Sequence, residues 1–302
     1  MDIRRKASLF AIVSAVILTS SKFAIGLMSG SLAVISSGLD SLLDIFMSGM
    51  NYIAIQRAAV PPDREHQYGH AKAENIAATV QSLVIIGTGG MILYAAIDKF
   101  THRESIAYSG YDFGVMVLSL LFSAVISTVL RKAGEKTDSS PLKADALHYA
   151  SDLYSNSATI AAIVVAYYTG KTFFDLLFSV VIAVFIIFSA LRILRQGVGG
   201  LMDSRIPPDV EDKLQSMISA LPYPYAGYHK MRSRVAGSKK YTDFHLLVCR
   251  RENIGNAHDL AEKLETTMTK EINNLDIVIH IEPCQSDCDL TEENCTVARK
   301  NK

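Results

Sequence analysis

The chain has 302 residues, and its 30 lysines and arginines balance 30 aspartates and glutamates, so its formal net charge at pH 7 is zero. Without an excess of positive charge to meet a phosphate backbone, nucleic acid is not an expected partner. Long apolar runs fill about the first two thirds of the chain, whereas the remainder has the mixed pattern of a soluble domain. The sequence therefore predicts a protein that is part membrane and part aqueous.

Apolar segments long enough to cross a membrane recur along the first part of the chain. A hydrocarbon layer about 30 Å thick takes roughly 20 apolar helical residues. The first segment follows Arg4, Arg5 and Lys6, is too long for the core of a signal peptide and has no cleavage pattern, so we expect it to be retained. Six spans place both termini on the same side, and they are predicted near residues 8–27, 31–56, 74–97, 112–131, 143–169 and 173–195.

Positive charge is concentrated on one side of these spans, and it prefers the cytosolic side. The N-terminus, two loops and the C-terminal region are therefore predicted to be cytosolic, where disulfides are not expected. The cations on the predicted cytosolic side are Arg57, Arg64, Lys72, Arg131, Lys132, Lys136, Lys143, Arg192 and Arg195. The opposite side has only Lys99, Arg103 and Lys171. The four cysteines, all in the C-terminal region, are Cys249, Cys284, Cys288 and Cys295.

The region after residue 202 predicts a small domain with the element order αββαβ. Helical spacing runs from 207 to about 221 and again over 256–274, and alternating stretches lie near 226–236, 240–249 and 276–282. This order predicts an α+β, ferredoxin-like domain with helices on one face of a sheet. The fold class is thus a six-helix membrane protein with a C-terminal cytosolic α+β domain.

Ionisable residues lie inside two of the predicted spans. Asp40 and Asp44 are four residues apart in the second, and His148 and Asp152 are four apart in the fifth, so each pair shares a helical face. Neither helix carries a Lys or Arg in its core, which disfavours simple ion pairing, and intramembrane charge is functional by default. Four such ligands at one depth suit a tetrahedral ion such as zinc. Asp145, near the cytosolic boundary, is left outside this site because acids are common where a helix starts.

The chemistry of this site predicts exchange of metal for protons. An imidazole titrates at about pH 6.5 when unperturbed, so protons compete with metal near neutral pH. Loading a site whose ligands must be deprotonated expels protons, and unloading takes them up. A site that opens alternately to the two sides would therefore be an antiporter and not a channel.

Two more groups of metal-ligand type lie in predicted cytosolic regions. Asp63, His66 and His70 fall in the loop between the second and third spans, where a solvated charged loop is the alternative. Period-two alternation puts His280 and Glu282 on one face of the last strand, and scattered surface histidines are the alternative for this group. We expect five side chains to converge at one edge of the sheet: His229, His245, His258, His280 and Glu282. Cys284 and Cys288 could add thiolates, but a C-x3-C pair is weak evidence of a site.

These separated motifs resemble those of the cation diffusion facilitator family, in particular its bacterial zinc and iron efflux members, over nearly the whole chain. Asp40-x3-Asp44 and His148-x3-Asp152 resemble the family's transport site, whose composition of one His and three Asp is associated with zinc and cadmium and not manganese. The loop and strand clusters resemble its loop site and its binuclear cytosolic zinc site, although Glu282 stands where the family carries aspartate.

What the resemblance implies goes beyond the motifs. It implies a transmembrane transport domain at 1–202, a cytosolic metal-binding and dimerisation domain at 203–302, and a homodimer with a charge interlock at Lys72 and Asp203. It also implies a hydrophobic gate at Leu147 and regulatory metal in the cytosolic domain. The Cys284 and Cys288 tail departs from the family pattern.

The expected function is efflux of a divalent transition metal, with Zn²⁺ as both transported and regulatory ion, across a bacterial inner membrane in exchange for protons. Iron, cadmium, cobalt and nickel are the alternative ions, since affinity order alone does not select among them. An intramembrane metallohydrolase would be an enzyme and would need an activated water, and the sequence has no His-Glu-x-x-His motif. A membrane-anchored metal sensor would explain the cytosolic histidines but would leave the intramembrane acids without a purpose.

Overall fold

A computed structural model describes residues 2–29, 32–102, 110–169, 173–221 and 225–284. Two compact units divide the chain, Met1–Leu201 and Met202–Lys302, and each is considered by itself. The first is a bundle of long helices: α1 (Ile3–Ser29), α2 (Leu32–Ala58), α3 (Lys72–His102), α4 (Gly110–Thr137), α5 (Ser140–Thr169) and α6 (Phe173–Leu201).

All six helices are long enough to span a bilayer. The shorter ones, α1 and α2, have 27 residues, which at about 1.5 Å per residue is about 40 Å. Over the described residues, four helices are also apolar enough to cross it, at Ile3–Met28, Lys72–Asp98, Val117–Thr137 and Ser179–Leu201. The helical membrane region is therefore confirmed. Over the described residues, these four do not include α2 and α5, the helices that contain the intramembrane acids.

Close backbone contact joins α3 to α6. A side chain at Gly197 would lie 2.5 Å from Thr79 Oγ1, and one at Gly200 would overlap the amide of Asn75. Only glycine lets the two helices approach this closely, since any Cβ would meet the facing turn. The start of α1 is fixed to the start of α3 by an ion pair between Arg4 and the fully buried Glu74, at 2.7 Å.

The helices that carry the intramembrane acids are held by an apolar cluster from four helices. Small residues of α1 allow close packing there, and large side chains of α2, α4 and α5 fill the remaining space. The cluster contains Ala7, Ala11, Ile55, Ile126, Leu130, Ala133, Leu142, Ala146 and Tyr149. Since Tyr149 directly follows His148 in α5, this packing fixes the part of the helix from which the imidazole projects.

The second unit has the element order αββαβ, as predicted. Its elements are α7 (Pro208–Ser219), β1 (Tyr225–Ala236), β2 (Lys239–Val248), α8 (Ile254–Glu271) and β3 (Leu275–Pro283). The sheet order is β1-β2-β3, with β1 and β2 antiparallel and β2 and β3 parallel. The α+β assignment is confirmed.

Both helices of this unit pack on one face of the sheet. Phe244 and Leu246 on β2 share a core with Leu214 of α7 and Leu264 of α8, and all four are at least 96% buried. Because side chains alternate along a strand, His245 between them points to the opposite face. The face without helices is therefore the one to which His245 points.

Candidate metal centres

A pair of long helices, α2 and α5, brings three metal-ligand groups together inside the membrane region. The Nε2 atom of His148 lies 2.8 Å from Oδ1 of Asp44, and ligand atoms of Asp44, His148 and Asp152 all lie within 4.8 Å of one another. The side chains of His148 and Asp44 are 14% and 15% exposed. One imidazole nitrogen and two carboxylates at this spacing can coordinate a small divalent cation.

The fourth expected ligand, Asp40, lies outside this group. It is exposed, and its position on α2 is four residues, or about 6 Å of helix, from Asp44. The structure therefore brings together three of the four intramembrane residues predicted from the sequence. Asp40 is on the same helical face and one turn away from the three.

A buried polar network lies one turn along α5 from this cluster, and the sequence analysis did not include it in a site. Asp145 is fully buried, with Ser48 Oγ 3.2 Å from both of its carboxylate oxygens and Gln81 Nε2 donating to it at 3.1 Å. Asn51 donates to Gln81 at 2.7 Å, and Ser48 also contacts the Tyr149 hydroxyl at 3.2 Å. The network fastens α2, α3 and α5 beside the candidate site.

A cation near the intramembrane acids comes from α1, a helix that the sequence analysis did not connect with the site. Lys22 of α1 is 7% exposed, and its ammonium donates to Ser41 Oγ at 2.7 Å, next to Asp40 in sequence. The absence of Lys and Arg from the cores of α2 and α5 was therefore an incomplete argument, because a neighbouring helix supplies the charge.

The loop cluster forms on the exposed connection between α2 and α3. Oxygens of Asp63 lie 3.4 Å from His66 Nδ1 and 3.4 Å from His70 Nε2, and the two imidazole centroids are 4.5 Å apart. Hydrogen bonds from the backbone N–H groups of His66 and Glu65 lower the pKa of Asp63. The turn closes at Gly69, whose φ of 79° favours glycine. All three predicted residues of the loop thus lie together.

The third cluster lies across the sheet face that the helices leave uncovered. His229 on β1 pairs in register with His245 on β2. Glu282 on β3 bridges them, with its oxygens 2.8 Å from His229 Nε2 and 2.7 Å from His245 Nδ1. These contacts, above all that with His245, hold the pKa of Glu282 below its ordinary value. A break in strand register follows His229, where Lys230 has a φ of 52°.

Two further histidines were expected in this cluster. His280 is the register partner of His245 and lies 3.7 Å from Glu282, so it is at the margin of the group. His258 is exposed at the start of α8, and α8 packs on the opposite face of the sheet. Within the described part of one chain, the structure does not bring His258 to the other four, and the residues that meet lie across the sheet face and not at its edge.

Comparison with known families agrees with this geometry. Residues 8–202 match the cation efflux transmembrane domain, and residues 206–284 match the cytoplasmic domain of cation efflux proteins. The chain belongs to the cation diffusion facilitator family. A cation-efflux pump FieF from Serratia proteamaculans is 32% identical over 280 residues, covering 93% of each chain. A FieF pump from Salmonella arizonae is 30% identical over 256 residues, covering 85% of each.

A solved structure matches part of the chain. The metal-bound C-terminal domain of the CzcD transporter from Thermotoga maritima is 25% identical, covers 26% of this chain and 92% of its own, and superposes with a TM-score of 0.25. The cation diffusion facilitator assignment therefore comes from the sequence matches. It makes the chain a cation-efflux protein of a transporter family, which confirms the family predicted from the motifs.

The remaining residues implied by the facilitator family have defined surroundings within one chain. Leu147, the predicted gate, packs with Ile85 of α3 and Ile186 of α6. Lys72 donates to the backbone oxygen of Leu201 at 3.2 Å, and Asp203 pairs with Arg234 at 3.2 Å. The gate and the interlock between protomers stay predictions.

The cysteines divide between described and undescribed parts of the chain. Cys249 and Cys284 are free and buried. Cys288 and Cys295 lie outside the described residues, so the predicted thiolate pair of Cys284 and Cys288 stays a prediction.

Proposed function

We propose that this protein exports Zn²⁺ from the cytosol in exchange for protons, and that the ion is carried by Asp44, His148 and Asp152. One observation carries the proposal: three groups of ligand chemistry from two different helices meet within 4.8 Å inside the membrane region. Intramembrane carboxylates are costly unless they serve a purpose, and a transported divalent cation supplies one.

The donor set is the reason for choosing zinc. One imidazole nitrogen with carboxylate oxygens is a common zinc environment, and zinc accepts four ligands. Asp40 stands one turn from Asp44 and is the natural fourth ligand when α2 closes on the ion. Iron, cadmium, cobalt and nickel accept overlapping donor sets, so their transport is measured beside that of zinc.

Proton exchange follows from the ligands themselves. Metal binds the deprotonated forms of imidazole and carboxylate, so binding releases protons and release of the ion takes protons up. If the site faces the two sides of the membrane in turn, metal leaves in one direction as protons enter in the other.

The membrane orientation is part of the proposal. Cations flank α1 at its start, the α2–α3 loop and the connection between α4 and α5, and such loops stay cytosolic. The N-terminus, the loop cluster and the α+β unit are then cytosolic, and the membrane is a bacterial inner membrane. On this arrangement, residues 1–202 form the transport domain and 203–302 the metal-binding and dimerisation domain.

The two exposed clusters have a regulatory role in this proposal. The sheet cluster of His229, His245 and Glu282 binds zinc on the open face of the α+β unit, and the metal strengthens a homodimer. Light scattering tests this by measuring the mass of the detergent-solubilised protein with zinc and with a chelator. Removal of zinc by the chelator should favour the monomer. A mass that is monomeric in both conditions would contradict the dimer.

Transport is tested in proteoliposomes that contain a zinc-sensitive and a pH-sensitive dye. The wild type should move zinc inward with opposite proton movement, and Asp44→Asn should abolish both fluxes while keeping the size of the side chain. Asp98→Asn, which changes a carboxylate at the far end of α3, is the matched control and should transport normally.

The assay also separates the proposal from a metal sensor anchored in the membrane. One observation favours a sensor: His229, His245 and Glu282 are already close together and partly exposed. A protein that binds zinc at that cluster but moves none of zinc, iron or cadmium would be a sensor, and the transport proposal would be wrong.

A further inference from the structure

A lysine buried in α1 faces the helix that carries two of the intramembrane acids. Lys22 is 7% exposed and Ser41 of α2 is 1% exposed. The Nζ atom of Lys22 donates to Ser41 Oγ at 2.7 Å and reaches the backbone oxygen of Ser37 at 3.5 Å. One turn away, Thr19 donates to the backbone oxygen of Ser41 at 3.1 Å. The two hydrogen bonds of Lys22 place its ammonium at a fixed point along α2.

That point lies beside the candidate transport site. Ser41 follows Asp40 directly and precedes Asp44 by three residues. Asp44 therefore shares the face of α2 that carries Ser41, and a ligand oxygen of Asp152 lies within 4.8 Å of one of Asp44. A buried ammonium is costly unless negative charge lies near it, and two neutral oxygens satisfy only part of its bonding capacity. The acids therefore account for a lysine at this depth.

We propose that Lys22 is the resident counter-cation of the intramembrane metal site and sets how tightly the site holds its ion. The inference rests on the proposed function, because it concerns the same carboxylates. Three ionised carboxylates with one ammonium leave two negative charges, which a divalent cation balances. Ser41 holds the ammonium beside the ligands and not on them, so the site stays open to metal.

The consequence for transport is that the intramembrane site binds its metal ion more weakly and releases it more readily. A fixed positive charge repels a divalent ion in a poorly screened interior, and a transporter needs binding strong enough to load but weak enough to unload. Lys22 thus favours release at the expense of affinity.

The test is the direction in which zinc affinity changes. Affinity is measured by competition with a fluorescent chelator on the purified full-length protein, with His66 and His245 replaced by Ala to remove the exposed clusters. In this background Lys22→Met should bind zinc more tightly, by roughly tenfold or more, and turn over more slowly in proteoliposomes. A lysine with only a structural role predicts weaker or unchanged binding.

Two variants provide matched comparisons. Lys132→Met removes an exposed cation of α4 and should leave affinity unchanged. Ser41→Ala keeps the charge but removes its anchor, so the ammonium can pair with the carboxylates and zinc should bind more weakly. Ser41→Ala also tests the proposal if Lys22→Met does not fold: unchanged or tighter binding in Ser41→Ala would contradict it.

Failure of this inference differs from failure of the proposed function. If Asp44→Asn does not remove zinc binding from the His66→Ala/His245→Ala protein, zinc does not bind at the proposed transport site and Lys22 has no role as its counter-cation. If Asp44→Asn removes binding but Lys22→Met binds no more tightly than the background, the site stands and the role of Lys22 is refuted.

Discussion

His148 Nε2 and Asp44 Oδ1 lie 2.8 Å apart although 104 residues separate them in the chain. This contact joins α5 to α2 at the point where each helix carries its charged face. Asp152, one turn along α5 from His148, completes the group, so rotation of either helix would separate its members. A change in the angle between α2 and α5 would therefore alter the distances between these ligand groups.

We expect the polar network around Asp145 to stabilise the bundle. Gln81→Leu removes the donor to Asp145 and the acceptor of Asn51, leaving both buried groups short of a partner. Each unsatisfied buried group costs about 1–3 kcal/mol, so the melting temperature of the detergent-solubilised protein should fall by several degrees. Tryptophan is absent from the chain, so differential scanning calorimetry is the suitable measurement. Gln67→Leu, in the exposed loop, is the control, and equal melting of the two variants would show that the network is not stabilising.

Close approach of α3 and α6 makes a second stability prediction. Gly200→Ala places a methyl group against Asn75 and should destabilise the protein by about 1–3 kcal/mol through overpacking. Gly90→Ala adds the same atoms where nothing lies within 4 Å, and should be neutral or stabilising by about 0.5–1 kcal/mol because alanine favours the helix. The same calorimetric measurement compares the two. Equal effects would indicate that the helices are farther apart than described.

The carboxylate of Glu282 should titrate below its ordinary range in the metal-free protein. Hydrogen bonds from His245 and His229 favour its ionised form and lower its pKa. A lowered folded-state pKa stabilises the fold above the unfolded value, and that stabilisation is lost as pH falls through the folded value. Carboxyl carbon shifts in NMR spectra of selectively labelled protein give the pKa directly. His245→Ala should raise it, whereas a pKa of Glu282 that is unchanged by His245→Ala would contradict the arrangement.

Local periodicity accounts for what the sequence predicts well. Asp40 with Asp44, and His148 with Asp152, recur at four residues, and helical geometry alone places each pair on one face. Alternation along β3 likewise put His280 and Glu282 on the same side. The long apolar segments predicted the membrane helices, and turns between alternating runs predicted the αββαβ order.

What the sequence did not predict depends on how elements pack against each other. Lys22 of α1 contacts Ser41 of α2 and Gln81 of α3 contacts Asp145 of α5, and no periodicity within one helix reveals its neighbour. His258 was expected with the other histidines, but α8 packs on the opposite face of the sheet. Register between strands, which aligns His229, His245 and His280, is also set by pairing and not by spacing.

Selective disruption of the clusters tests the central claim that the ion passes through α2 and α5. Zinc flux into proteoliposomes is measured for His66→Ala/His245→Ala, which disables both exposed clusters, and for Asp152→Asn, which leaves them intact. We expect the double variant still to transport zinc, with altered metal dependence at most, and Asp152→Asn to transport none. Normal flux in Asp152→Asn, with loss of flux in the double variant, would contradict it.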